Sequence, residues 1–297
     1  MAQGVGKALL TPSACRGPEK GDPRGKAERG SALTGRVLTM GASSGPMNRG
    51  MDEALAWLCR DHAILRFYTW ESPTVSIGYF QRSDEIDLDA CRASAVSVVR
   101  RPTGGRAVLH HRDLTYSLVL PLKAPWSGLS IAESCRRINS CFRRGLELLG
   151  VSAGLEAVSG RIGMAGHMPS PLCFSAVSRH EVVVGGKKVI GSAQRRFPET
   201  ILQQGSILMD FDPAEIFPLF RRGDRAAMAD SLAGIGSLRE ALGCLPDRAE
   251  VEAAVVEGFA DEMEVEFAPG TLDCDEIALS GQLAAGRYAS HDWTGRR

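Results

Sequence analysis

Residues 98–121, VVRRPTGGRAVLHHRDLTYSLVLP, constrain the fold more than any other stretch. The run begins as a strand, breaks at Gly104-Gly105, passes His110-His111 and resumes as a strand. Paired glycines allow a tight turn and close approach of the backbone to a ligand. Arg100, Arg101 and Arg106 around the turn suit an anion. Residue type alone leaves a plain basic loop with a glycine turn equally open. The two histidines are no metal signature. Adjacent strand residues point to opposite faces, so at most one of them faces a pocket.

The flanking sequence supplies the rest of a sheet. GRVLTM predicts a short first strand, and NRGMDEALAWLCR a helix with Met51, Ala54, Leu55 and Leu58 on one face. Asp52 and Glu53 are expected in its first turn, where carboxylates favour a helix N-terminus. AILRFYTW, TVSIGYF, AVSVVR, LTYSLVLP and ILQQGSILMDF read as strands. Residues 129–149 form an amphipathic helix with Ile131, Cys135, Ile138, Phe142, Leu146 and Leu149 on one face, stopped at Gly150. RHEVVVGGKKVIGSAQRR is a hairpin turning at Gly185-Gly186. PAEIFPLFRR, SLREALG, RAEVEAAVVEGFADEM and CDEIALSGQLAAGRY are helical, with a strand-like EVEF between the last two. The fold class is α+β, a mixed β-sheet with flanking helices. It is expected as one domain over residues 36–297, behind a disordered tail at 1–35 rich in Gly, Lys, Arg, Glu and Pro.

Composition narrows the partners. The 297 residues balance 35 Lys and Arg against 35 Asp and Glu, so no whole-surface charge points to nucleic acid or a membrane. No apolar run approaches the ~18 residues of a membrane span. The charged, Gly/Pro-rich start is not read as a signal peptide, and the cytoplasm is the expected location. None of the eight cysteines forms CxxC, and no His/Cys cluster has zinc spacing, so no metal is expected. Cys59, Cys135 and Cys141 fall in helical patterns and read as small buried hydrophobes.

Two further stretches can carry chemistry. In GGKKVIGSAQRR, strand alternation sends Lys187 and Lys188 to opposite sides, one of them toward Gly191, Ser192 and Ala193. An inward amine can donate to a carbonyl or oxyanion, or activate a thiol. Two solvated lysines are the plain alternative. In PSPLCFSAVSRHE, Cys173 lies in a proline-flanked loop outside any periodic core pattern. Loops carry reactive groups more often than cores do. Composition alone still favours an inert cysteine there.

Taken together, NRGMDEAL, TVSIGYFQ, RRPTGGRAVLHHRDLTYSLVLP, KKVIGSAQRR, ILQQGSILMD and GRYASHDWTGRR are collinear from residue 36 onward. In this order they resemble the lipoate–protein ligase A-like family, which shares a fold with biotin–protein ligases and lipoyl or octanoyl transferases. The resemblance implies that the turn with Arg101, Gly104 and Gly105, together with His110, shapes an acyl-chain pocket. It implies that Lys188, just before Val189-Ile190-Gly191-Ser192-Ala193, contacts the acyl carbonyl, with backbone N–H groups of Gly191, Ser192 and Ala193 beside it.

The branch matters as much. ATP-using ligases of this group read RRxxGGGxVxHDxGN, whereas this chain has Arg106 at the third glycine and Asp113-Leu114 at the GN pair. His111 also departs from the acidic residue common there. Cys173-Phe174 matches the CF dipeptide of the octanoyltransferase branch, whose cysteine is the nucleophile. The reaction implied takes octanoyl from octanoyl-acyl carrier protein onto Cys173 as a thioester. A lysine of a lipoyl domain then receives it, on a glycine-cleavage carrier protein or a 2-oxoacid dehydrogenase E2. No cofactor is needed for that reaction, and the family suggests a monomer. The alternatives are an ATP- and Mg2+-dependent lipoate–protein ligase and a non-catalytic module that binds lipoyl domains or acyl carriers.

Overall fold

A computed structural model describes residues 33–156, 181–221 and 225–296 of the chain. Strand β1 (Leu33–Ser43) is followed by helix α1 (Gly45–Leu58) and strand β2 (Ala63–Trp70). β1 and β2 are parallel, and α1 provides the crossover that parallel neighbours require. The strand starts at Leu33, three residues before the expected boundary. Ser44 caps α1 and Pro46 sits in its first turn, where a missing N–H costs nothing. This early start corrects the placement of Asp52 and Glu53. They lie mid-helix and fully buried, not in the first turn.

A second, three-stranded sheet follows. It holds β3 (Thr74–Ile77), β4 (Ser97–Arg100) and β5 (Val108–His110), with α2 (Leu88–Ala93) between the first two. TVSI therefore leaves the main sheet, which its composition could not reveal. The chain returns through β6 (Asp113–Pro121), α3 (Ile131–Leu148), β7 (Ala153–Glu156), the hairpin β8 (Glu181–Val184) and β9 (Lys187–Arg196), and β10 (Thr200–Leu208). Gly185 and Gly186 both adopt positive φ at the hairpin turn, as the two-glycine turn predicts.

PAEIFPLFRR gives only two short 3-10 turns, Pro213–Glu215 and Phe217–Leu219, because Pro218 interrupts any longer helix. Helices α4 (Arg225–Ala233), α5 (Leu238–Leu242) and α6 (Arg248–Met263), strand β11 (Val265–Pro269), and helices α7 (Cys274–Leu283) and α8 (His291–Thr294) complete the chain.

The main sheet runs β11-β1-β2-β6-β10-β9-β8-β7. One face carries Leu65, Phe67, Leu114, Tyr116, Leu118 and Ile207. It packs on Ile138 and Phe142 of α3 and Val255 and Phe259 of α6. The opposite face carries Ile64, Val119 and Leu202 under Leu55 and Ala56 of α1. Farther along the same strands that second face turns polar, with Arg66, Asp113, Thr115, Gln204 and Ser206 all buried. Among the described residues no helix is long and apolar enough to cross a membrane.

Candidate active site

The polar half of the second face is built by alternation. Arg66, Tyr68 and Trp70 on β2, Asp113 and Thr115 on β6, and Gln204 and Ser206 on β10 occupy every second position. Helix α1 lays Asn48, Arg49 and Asp52 over them. Asp52 accepts from Arg49 Nη1 at 2.9 Å, Arg66 Nη1 at 2.7 Å and the Tyr68 hydroxyl at 2.8 Å, and also from Gln204. Two guanidinium groups on one carboxylate leave this floor net positive. Burial and the neighbouring Asp52 carboxylate hold Tyr68 as a neutral phenol, despite both arginines.

A second network begins at Asp113. Its Oδ2 accepts from His110 Nδ1 at 2.8 Å and from the hydroxyls of Thr115 and Ser206, each at 2.7 Å. Ser76 Oγ lies 2.8 Å from His110 Nε2, and Arg101 donates to Ser76. Burial lowers the pKa of His110, so the imidazole is neutral, with Nδ1–H on the carboxylate and Nε2 accepting from Ser76. Burial alone would raise Asp113. The charge His110 gains when it is protonated, its hydrogen bond and the two hydroxyl donors overcome this and hold the Asp113 carboxyl below the ordinary range. Trp70 stacks on His110 at 4.3 Å between centroids and donates to Thr115, fixing the ring plane.

These networks wall one cavity. It is lined by Arg49, Ser76, Arg101, His110, Thr115, Gly191, Ser192, Ala193, Gln204 and Ser206 among others. Five residues singled out from sequence, Arg101, His110, Gly191, Ser192 and Ala193, thus come together. His110 faces the cavity while His111 points out to Glu215, as alternation required. Ser192 turns its hydroxyl away from the cavity, onto Tyr116 at 2.7 Å. β8 pairs with β9 only as far as Ile190, so the outer edge of Gly191–Ala193 is unpaired among the described strands. An unpaired strand edge can offer backbone N–H groups to an oxyanion.

Other expectations move. Arg101 lines the cavity, but its guanidinium donates to the carbonyls of Ser76, Gly104 and Arg106, which braces the turn. Arg100 is equally committed. It donates to Gly78 and Gln81 and fastens the carbonyls of Trp293 and Thr294, while burial pushes its pKa down to about 10. Arg106 pairs with Glu85 at 2.6 Å. These three arginines brace backbone and carboxylate, which favours the plain basic loop of the two readings that residue type left open.

Gly104 and Gly105 form the turn, with Gly105 at φ +83°. A Cβ at Gly78 would stand 1.9 Å from the Gly105 carbonyl oxygen, so it is Gly78 that lets the two backbones touch. Lys188 is 2% exposed and ion-paired to Glu181, whereas Lys187 is on the surface with Glu240. Cys173 lies outside the described residues. Arg49, Ser76, Thr115, Gln204 and Ser206 escaped the sequence reading, although the polar-apolar alternation of DLTYS and QQGS was there to be read.

The described thiols Cys59, Cys91 and Cys141, which are buried, and Cys135, which is half-buried, are chemically quiet. Burial raises Cys59, Cys91 and Cys135 to about 11 and pushes Cys141 higher still. Such thiols stay protonated at neutral pH and are poor nucleophiles.

Residues 46–260 match the family model for the lipoyl protein ligase A/B catalytic domain. The chain belongs to this family. The octanoyltransferase LipM of Kyrpidia tusciae is 40% identical over 275 residues, covering 89% of this chain and 99% of that one. The octanoyltransferase LipM of Brevibacillus brevis is 37% identical, covering 88% and 99%. Among solved structures, a bipartite lipoate protein ligase from Thermoplasma acidophilum superposes with a TM-score of 0.73 at 24% identity, covering 89% of this chain and 96% of that one. A lipoate-protein ligase A bound with ATP gives 0.73 at 24% identity, covering 89% and 99%. These structures establish the family fold for this chain.

Proposed function

We propose that the chain is an octanoyltransferase of lipoate biosynthesis that carries octanoyl on Cys173 from octanoyl-acyl carrier protein to a lysine of a lipoyl-domain protein. One observation carries the reading. The cavity gathers Arg101, His110 and Gly191–Ala193 in a chain that matches octanoyltransferases over nearly their whole length.

The Cys173 thiolate attacks the thioester carbonyl of the donor. The carrier thiol leaves with a proton, and a new thioester forms on the enzyme. The lysine amine of the acceptor then attacks this second thioester, the Cys173 sulfur leaves, and an amide results. Thioester exchange is nearly isoenergetic and amide formation runs downhill, so neither ATP nor Mg2+ is required. Lys188 supplies a buried ammonium that favours the thiolate and polarises the carbonyl. The open edge of β9 at Gly191–Ala193 receives the oxyanion. Burying the seven carbons beyond the carbonyl, at ~0.8 kcal/mol each, gives several kcal/mol of binding.

The sequence argument from Arg106 weakens, because its side chain turns to Glu85 and away from the cavity wall. The choice of transferase over ligase therefore rests on the relatives and on Cys173. Incubation with octanoyl-acyl carrier protein without ATP, read by intact mass, tests it. A gain of one octanoyl group that is lost in Cys173→Ala is expected. Absence of that adduct, with lipoate attachment that needs ATP, returns the chain to the ligases.

A further inference from the structure

Arg49 has no part in the mechanism above, yet it stands in the cavity wall with a side chain 1% exposed. Its Nη1 donates to Asp52 and Tyr68, and its guanidinium lies 4.7 Å from the centroid of the Trp70 ring. Its Nε has no hydrogen-bond partner among the described residues. A desolvated donor without an acceptor is costly, so its position has consequences for whatever fills the cavity. Arg101, the other guanidinium in the wall, is engaged by backbone carbonyls.

Strand register locates Arg49 along the acyl path. Lys188 and Ala193 are five residues apart on β9, at most ~16 Å at the strand rise of ~3.3 Å per residue, because the register shifts between Lys188 and Ile190. Ala193 lies opposite Gln204 on β10, and Gln204 donates to Asp52, which holds Arg49. Arg49 therefore stands at the end of this path remote from Lys188. An extended octanoyl group spans about 9 Å, at the ~1.2 Å per bond of an extended chain. The Lys188 side chain, reaching toward the carbonyl, takes up much of the remainder.

We propose that Arg49 is a specificity-determining residue, which closes the far end of the acyl cavity with an unsatisfied N–H and so limits the chain to about eight carbons. The proposal rests on the octanoyl-transfer reading. A longer alkyl chain would press methylene groups against a buried donor that they cannot satisfy, and would gain nothing from its added length. A flexible apolar side chain at the same position would yield to the longer chain.

The test uses the full chain and a series of hexanoyl, octanoyl, decanoyl and dodecanoyl carrier-protein thioesters, with acyl-enzyme formation followed by intact mass. The wild-type protein is expected to discriminate against decanoyl. In Arg49→Met the decanoyl-to-octanoyl ratio of kcat/KM should rise about ten-fold, the discrimination carried by roughly two buried methylenes. Arg49→Gln retains an N–H donor and should hold the wild-type ratio. Partial unfolding lowers both rates in one preparation and leaves their ratio unchanged. The proposal is overturned if Arg49→Met keeps the wild-type profile, or if Arg49→Gln shifts as far as Arg49→Met. It is overturned without any variant if the wild type already takes decanoyl as readily as octanoyl. If the wild type forms no acyl-enzyme with any chain, the octanoyl-transfer reading fails first.

Discussion

The two faces of the main sheet are equally dry and chemically opposite. On β6, Leu114, Tyr116, Leu118 and Leu120 meet α3 and α6, while Asp113, Thr115 and Ser117 face the other way, and all are buried. The first face is held by shape and apolar area. The second is held by acceptors and donors that must meet within a fraction of an ångström. Three separate elements supply the partners of Asp52, and three supply those of Asp113. The apolar face can absorb a change of volume by repacking. The polar face cannot absorb the loss of one charge, and that face is where the cavity opens.

The largest effect is therefore expected on the polar face. Asp52→Asn leaves Arg49 and Arg66 buried without a countercharge. Breaking a buried pair in this way costs about 3–5 kcal/mol, and urea denaturation measures it. A loss below about 1 kcal/mol would mean that the network does not depend on the carboxylate charge. On the apolar face, Phe142→Ala removes a ring packed between Tyr116 and Phe259 and should cost roughly 3 kcal/mol. Acyl-enzyme formation per folded molecule should survive there, because Phe142 lies across the sheet from the cavity. If activity falls in step with stability, the two faces are not separable.

A smaller effect separates the faces by pH. The His110 pKa is lowered in the folded protein, so the unfolded chain binds the extra proton more readily. Stability is then complete above the ordinary histidine value of ~6.5 and falls on acidification, by at most ~1.4 kcal/mol per pH unit. Asp113 acts in a lower window. Its depressed pKa contributes stability that is lost as pH falls below the ordinary carboxylate value of ~3.9. Unfolding midpoints between pH 5 and 7 should slope in the wild type and flatten in His110→Gln. An unchanged slope would place the titration elsewhere.

Much of this contrast was legible in the sequence, and the rest was hidden for physical reasons. Alternation put His110 and His111 on opposite faces, and adjacency split Lys187 from Lys188. Motif order implied that Arg101 and Gly191–Ala193 share one pocket. Arg49, Asp52 and Gln204 were invisible as a unit because 152 residues of chain separate the last two. No local pattern encodes a bond across that distance. Asp52 and Glu53 were misplaced because carboxylates usually signal a helix start, and here tertiary partners outweigh that preference. Glu53 is taken by Arg287 and Tyr288. The turn arginines left an anion open as a partner because their acceptors are backbone carbonyls, which carry no sequence signature.

The smallest effect is expected where the polar face is incomplete. Ser117 is 1% exposed and its Oγ has no hydrogen-bond partner among the described residues, although its neighbours two residues along β6 in either direction differ sharply. Thr115 is bonded to Asp113 and Trp70, while Val119 packs in the apolar cluster under α1. Ser117 thus marks the boundary where this face changes from polar to apolar. Removing an unsatisfied hydroxyl relieves its desolvation cost and sacrifices no bond. Ser117→Ala should leave stability unchanged or raise it by up to ~1 kcal/mol, and acyl-enzyme formation should not change. A clear destabilisation in urea would show that the hydroxyl is bonded in solution, and would extend the polar network one step further toward the apolar end of the sheet.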